Sequence, residues 1–402
     1  MKCYIVGGAV RDQLLGLAIQ DRDWVVTGSN PKKMMDQGFL PVGRDFPVFL
    51  HPKTKEEYAL ARTEKKVGLG YQGFTFYTDE NISLEEDLAR RDLTINAMAK
   101  DESGAIYDPF NGREDLKNKI LRHVSSAFSE DPVRILRIAR FAAKLQFKIA
   151  PETFLLMKKM VISGEVDALT PERVWQEISK GLLEKKPSTM FMVLHECGAL
   201  RKILPELDSL FGVPQRAEFH PEIDCGVHTL MALDYAAKEN FSLEVRFSAL
   251  CHDLGKGVSP RFSWPNHPGH EQAGVSLVES LCQRLRVPKS CAEMAVLVAQ
   301  HHTKVHNSKN FTASVLLQLI LDLDGLRRPD RFVNILEACL SDSRGRLNFE
   351  NADYPQKKFL TQLVYSLRAM DLKEVVRTCS PDTAIQASIE SARINHIKAF
   401  IK

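Results

Sequence analysis

The first apolar run, Cys3-Tyr4-Ile5-Val6, stops at two glycines, and Ala9-Val10-Arg11-Asp12 follows. That pattern predicts a strand over Lys2–Val6 and a helix over 9–15 that ends near Gly16. A second strand runs over 24–27 from Asp21, and a short helix over 31–37 closes at Gly38. Val48–Leu50 and 58–61 are further strands. Ser83-Leu84-Glu85-Glu86 has the form of a capping box, so a helix is expected from about 84 to 99. A last short strand covers 105–107. From about Asp131 the apolar spacing is helical almost throughout, and Asp131-Pro132, Pro171-Glu172-Arg173 and Pro205-Glu206 mark helix starts. Loops rich in Pro, Gly and His interrupt it over 211–226 and 258–270. The fold class is α+β: a head with a small mixed sheet, then an all-α body. The expected divisions are 1–138, a helical neck over 139–220, a region over 221–330, and a helical tail over 331–402.

Bulk composition narrows the class without deciding it. Hydrophobic residues make up 44% of the 402, enough for real cores, and the net charge of +3 neither points to nucleic acid nor excludes it. The eight cysteines are scattered without a C-x-x-C pair, which fits a reducing compartment. No apolar run reaches the length of a membrane span, and the N-terminus reads as a strand rather than a signal peptide. A cytoplasmic enzyme, with no membrane association, is expected.

The chemistry begins at Asp21-Arg22-Asp23. Residues i and i+2 of a strand share a face, so both carboxylates can reach one Mg²⁺. Gly7-Gly8 lets the backbone approach phosphates, and Arg11 offers a planar fork for them. The set suits a nucleoside triphosphate with Mg²⁺. No P-loop is present: Gly255-Lys256-Gly257 lacks the upstream glycine and the following hydroxyl residue. On a helix, Arg134, Arg137, Arg140 and Lys144 fall on one side, and Ile135, Leu136, Ile138, Ala139, Ala142 and Ala143 on the other. Eight of the twelve histidines lie between 220 and 306. His252-Asp253 sits in an apolar helix, with His228, His270, His301 and His302 as further candidate ligands. Imidazole with carboxylate suits Mn, Fe, Co, Ni or Zn better than Mg alone.

Gly7-Gly8-Ala9-Val10-Arg11-Asp12 with Asp21-x-Asp23, then Arg90-Arg91-Asp92, Glu130-Asp131-Pro132-Val133-Arg134 and Arg137-x-x-Arg140-Phe141, resembles the class II tRNA nucleotidyltransferases, the family of bacterial CCA-adding enzymes and poly(A) polymerases. The resemblance implies a polymerase-β-type head that adds C, C and A to tRNA from CTP and ATP. Asp21 and Asp23 would be catalytic and hold Mg²⁺, with Glu57 as a candidate third carboxylate. Asp131 and Arg134 would pair with the base. Gly8, Arg11, Arg91, Arg137 and Arg140 would contact phosphates or sugar. The glycine-rich stretch 68–73 could close over the site or be a plain hairpin. His228 with His252-Asp253 resembles an HD phosphohydrolase domain, which implies 2′,3′-cyclic phosphodiesterase, 2′-nucleotidase and phosphatase activity with a transition metal such as Ni²⁺, Mn²⁺ or Co²⁺. The Asp that usually completes such a set is missing from Ala299-Gln300-His301-His302-Thr303, so a histidine or a more distant Asp would serve. The alternatives are a poly(A) polymerase and an HD hydrolase whose head only binds nucleotide for regulation. A monomer and a homodimer are both compatible.

Overall fold

The computed structural model describes residues 1–19, 21–42, 48–66, 74–377 and 385–401. It forms two compact units: Met1–Glu177 with Thr189–Ile203, and Ile178–Ser188 with Leu204–Lys402. The expected head and most of the neck fall in the first, and the HD region and tail in the second.

In the first unit, β1 (Lys2–Val6), α1 (Gly8–Leu14), β2 (Asp23–Thr27), α2 (Pro31–Asp36), β3 (Leu40–Val42), β4 (Val48–Leu50) and β5 (Glu57–Leu60) come in order. The hairpin β6 (Thr63–Lys66) and β7 (Phe74–Tyr77), α3 (Leu84–Ala89), β8 (Ala99–Lys100) and β9 (Ile106–Tyr107) follow. The mixed sheet has the order β3-β4-β5-β2-β1-β8-β9. Within this sheet, among the described residues, only β2 and β5 pair in parallel. Strand alternation splits the core: Val25 joins Tyr4, Val6 and Leu88 on one face, and Val26 joins Met34, Phe49 and Leu60 on the other. The stretch 68–73 lies outside the described residues.

The helix expected over 84–99 ends at Ala89, at the N-terminal half of its span. Its capping box is real: Glu86 N donates to Ser83 Oγ at 3.2 Å and Ser83 N to Glu86 Oε2 at 2.8 Å. Beyond Ala89, side chains take over the backbone. Leu93 N donates to Asp92 Oδ1 at 2.9 Å, Asn96 Nδ2 to the same oxygen at 3.0 Å, and Leu93 bridges to His123. Asp92 offers the backbone an alternative to helix, with Asn96 bracing its carboxylate, and here that alternative prevails. After α4 (Gly112–Asn118) come α5 (Val133–Leu145), α6 (Pro151–Ile162), α7 (Pro171–Leu182), α8 (Ser188–Glu196) and α9 (Ala199–Ile203).

The second unit is helical: α10 (Pro205–Asp208), α11 (Cys225–Lys238), α12 (Leu243–Cys251), α13 (His270–Leu285), α14 (Lys289–His306), α15 (Ala313–Asp322), α16 (Pro329–Arg344) and α17 (Pro355–Arg368). Asp224 caps α11 by accepting from Val227 N at 2.9 Å. Ile320, Phe332, Ile335, Leu336 and Leu363 are fully buried between these helices. Among the described residues no helix is long and apolar enough to cross a membrane, and the cysteines are free.

Candidate active sites

Strand register assembles the first site. Asp23 is paired across to Val6 on β1 and to Glu57 on β5. The Gly7-Gly8 turn that follows Val6 is therefore beside one carboxylate and Glu57 beside it on the other side. Asp21 and Asp23 are both exposed at the start of β2. Oxygen donors on an open strand end fit a hard, hydrated ion such as Mg²⁺. Among the described residues, no group of three ligand atoms within 4.8 Å of one another includes either aspartate. Gly7 has φ 69°, and a Cβ there would lie 3.0 Å from Arg91 Nη1. The turn thus needs glycine both for its left-handed backbone and for the close guanidinium.

Three other arginines gather on one ring. The guanidinium carbons of Arg11, Arg137 and Arg140 lie 4.9, 5.8 and 4.8 Å from the Phe141 centroid. Each is also held by a polar partner. Arg11 Nη1 donates to Asn96 at 2.6 Å, Arg137 Nε to Asp92 at 2.8 Å, and Arg140 Nε to Glu177 at 2.6 Å. Burial would raise the Asp92 carboxyl, but Arg137 and Asn96 hold it well below the ordinary range. The cluster is therefore a pre-set cationic cradle rather than a solvated face. Arg134 is buried and donates to the carbonyls of Ala127 at 2.7 Å and Arg90 at 2.6 Å. Asp131 accepts from Val133 N at 3.1 Å and takes a fork from Arg173, at 3.0 and 2.6 Å.

In the second unit five helix-borne side chains converge: His228 on α11, His252 and Asp253 at the end of α12, His270 at the start of α13 and His302 on α14. The expected carboxylate comes from farther along, on α16. Asp342 lies 3.0 Å from His228 Nε2 through Oδ1 and 2.6 Å from His306 Nε2 through Oδ2. Two triads result, His228–His252–Asp342 and Asp253–His270–His302, each with its ligand atoms within 4.8 Å of one another. Gly255 lets the chain after Asp253 press on α13, since a Cβ there would overlap the His270 carbonyl.

The ring tautomers indicate what the centre can hold. The Nδ1 atoms of His252, His270 and His302 face the carbonyls of Ala249, His267 and Val298 at 2.8, 2.9 and 3.1 Å. Each Nδ1 thus carries the hydrogen and each Nε2 a lone pair. Those lone pairs point at carboxylates: His252 Nε2 is 3.1 Å from Asp253 Oδ2, and His270 and His302 Nε2 are 3.4 and 3.5 Å from Asp253 Oδ1. His252 Nε2 and Asp253 Oδ1 are buried without hydrogen-bond partners. Lone pairs facing lone pairs in a buried site call for a cation. Burial lowers the His252 pKa, but Asp253 and Asp342 raise it to about 9, so the carboxylates favour positive charge at this ring. The donor set of imidazole and carboxylate fits a transition-metal ion.

His301 is the one candidate of this group that stands apart. It is buried, but it belongs to neither triad. Consecutive helical residues point about 100° apart, so α14 aims His302 and, one turn on, His306 at the centre and turns His301 away. Asp342, Arg173 and Glu222, which lies 2.8 Å from His228 Nδ1, escaped the sequence reading. Glu222 had a signal in His220-x-Glu222. Asp342 and Arg173 had none beyond the helices that carry them.

The family model described as the Poly A polymerase head domain matches residues 3–122. The model described as a probable RNA and SrmB-binding site of polymerase A matches 146–211, and the HD domain model matches 226–340. A "Multifunctional CCA protein" of Chromobacterium violaceum is 58% identical over 393 residues, 98% of this chain and 97% of that protein. One of Dechloromonas aromatica is 54% identical over 402 residues, covering 100% and 98%. Among solved structures, the Bacillus stearothermophilus CCA-adding enzyme in complex with CTP matches with a TM-score of 0.66 at 23% identity, covering 99% of this chain and 89% of that one. The Thermotoga maritima CCA-adding enzyme complexed with tRNA_CCA gives 0.64 at 20%, covering 99% and 87%. These two likenesses concern the fold.

Proposed function

Since the chain belongs to the multifunctional CCA protein family, we propose that it adds C, C and A to the 3′ end of tRNA in the cytoplasm, taking CTP and ATP and releasing pyrophosphate. The observation that carries this is the register placing Asp23 between the Gly7-Gly8 turn and Glu57. Asp21 and Asp23, with Glu57 as third carboxylate, would hold Mg²⁺, which neutralises phosphate charge and lowers the pKa of the attacking hydroxyl. The tRNA 3′ oxygen bonds to the α-phosphorus, and the bond to pyrophosphate breaks. Arg11, Arg137 and Arg140 hold the triphosphate and sugar, and Arg91 supports the Gly7-Gly8 turn against them. Asp131 accepts from the exocyclic amine shared by cytosine and adenine, while Arg134 donates to the ring edge. Uracil presents a carbonyl where cytosine has its amine, so two acceptors face each other at Asp131 and UTP is rejected.

The second centre acts as a phosphohydrolase on 2′,3′-cyclic phosphates, 2′-nucleotides and phosphate monoesters. His228, His252, Asp253, His270, His302 and Asp342 would hold Ni²⁺, Mn²⁺ or Co²⁺, which supplies a water-derived nucleophile at neutral pH. Lys256, 2.6 Å from Asp253, adds positive charge beside the phosphate. The test is the pair His252→Ala and Asp253→Ala. Cyclic phosphodiesterase activity should vanish while nucleotide addition persists, and equal loss of both would reject two separate sites.

A further inference from the structure

The two Pro-, Gly- and His-rich loops, 211–226 and 258–270, do more than connect helices. They are pinned to one another through His267 Nε2, 2.8 Å from the Pro214 carbonyl, and Lys256, just before the second loop, donates through Nζ to Gln215 at 3.0 Å. Trp264 is anchored through its indole N–H, which donates to the Ser259 carbonyl at 3.2 Å. Between them the loops wall an open cavity of about 810 Å³, lined by 214–218 and 264–266. It adjoins the cleft of about 540 Å³ that holds Asp253, His270, His302 and Asp342. Their linings are neighbours: Gln215 of the loop cavity accepts from Lys256 of the metal cleft, and Glu218 of the first is followed by Phe219 of the second.

The rim of this surface carries aromatic and cationic side chains, with Glu218 3.5 Å from Arg216. Phe262 is 92% exposed and Phe219 51% exposed. The Arg216 guanidinium lies 4.9 Å from the Phe219 centroid, and that of Arg261 lies 5.8 Å from the Trp264 centroid. Arg346 lines the metal cleft and donates to the Phe219 carbonyl at 3.1 Å. Aromatic faces interleaved with guanidinium groups match the two things an unpaired RNA strand presents, base faces and phosphates. A free mononucleotide needs only the metal cleft and would leave this rim unused.

We propose that the loops 211–226 and 258–270 form a platform for the unpaired nucleotides just 5′ of the phosphate being hydrolysed. The second centre then acts on RNA 3′ ends in preference to free nucleotides. This rests on the phosphohydrolase reading above. The test uses the full-length, metal-loaded protein and the double variant Arg261→Ala, Phe262→Ala, whose side chains lie outside the metal cleft. Two substrates are compared: a 2′,3′-cyclic mononucleotide and a four-nucleotide RNA ending in a 2′,3′-cyclic phosphate. Loss of one base–aromatic stack corresponds to roughly tenfold or more. The variant should therefore lose about tenfold in kcat/KM for the RNA, mainly through KM, with the mononucleotide changed less than about twofold. Equal loss on both substrates, or no loss on the RNA, overturns the platform. So does a shift from dimer to monomer with both rates intact, which would make the surface a contact between copies. If the wild-type protein hydrolyses neither substrate, the phosphohydrolase reading fails and binding decides the platform. Tenfold weaker binding of a 3′-phosphorylated tetranucleotide by the variant, read by fluorescence anisotropy, supports it, and unchanged binding overturns it.

Discussion

Replacing Arg173 by Ala removes a contact that no motif announced. Arg173 grips Asp131 with both guanidinium nitrogens, at 3.0 and 2.6 Å, and the two side chains are only 25% and 18% exposed. The fork fixes the carboxylate plane, and Val133 N fixes one oxygen within it. If Asp131 accepts the base amine, that plane decides whether cytosine and adenine fit. A hydrogen bond to a charged group contributes about 1.5–3 kcal/mol. Part of this remains, because Val133 N and the bound base still hold the carboxylate. Holding a side chain that would otherwise rotate is worth about 0.5–1.5 kcal/mol. A net loss of about 1–3 kcal/mol follows, which is roughly 5- to 150-fold in kcat/KM for CTP and ATP. UTP, which gains nothing from Asp131, should lose little, so discrimination shrinks. Arg173→Lys keeps the charge without the fork and should fall between. Single-turnover incorporation of CTP and UTP into tRNA lacking its 3′ end measures both. Thermal melting controls for the loss of an ion pair near the start of α7. A variant within about twofold of wild type on CTP, with UTP still rejected, would refute the reasoning.

Three further outcomes are expected. Asp342→Asn keeps the shape of a residue that touches His228 and His306 but removes its charge. Bound transition metal per chain, measured by elemental analysis, should fall, and phosphohydrolase activity should drop roughly 100-fold or more with nucleotide addition unchanged. Gly7→Ala forces a side chain onto φ 69° and against Arg91. Addition should fall about tenfold, and the head should lose roughly 1–2 kcal/mol of stability in denaturant titration. Asp92 has a depressed pKa in the fold, so its contribution is complete above the unfolded aspartate value near ~3.9 and is lost as pH falls toward the folded value. Melting of the first unit should therefore decline steeply below about pH 4, and Asp92→Asn should flatten that decline.

What was legible in the sequence was what chemistry concentrates locally. The Gly7-Gly8 turn, the Asp21-x-Asp23 pair and the arginines of α5 each occupy a short stretch, and their placement at a strand-to-helix turn, at the start of β2 and on a helix follows from local pattern. The capping box at Ser83 starts α3, but beyond it the Asp92 side chain, braced by Asn96, accepts from the Leu93 backbone where the expected helix would continue. Asp342 has no signal in the sequence because α16 brings it to His228 from far along the chain, and no local pattern marks one aspartate on a helix as the partner of distant histidines. Arg173 was read as part of a helix start, which it also is. His301 and His302 were indistinguishable as letters, and only the packing of α14 separates them.

The central claim is best tested with end-labelled tRNA lacking its 3′ CCA, incubated with CTP alone, ATP alone and both. CTP alone should stop at CC, ATP alone should add nothing, and both together should stop at CCA. Asp21→Ala should abolish every product. Long A-tracts without use of CTP, or undiminished CTP incorporation by Asp21→Ala, would contradict it.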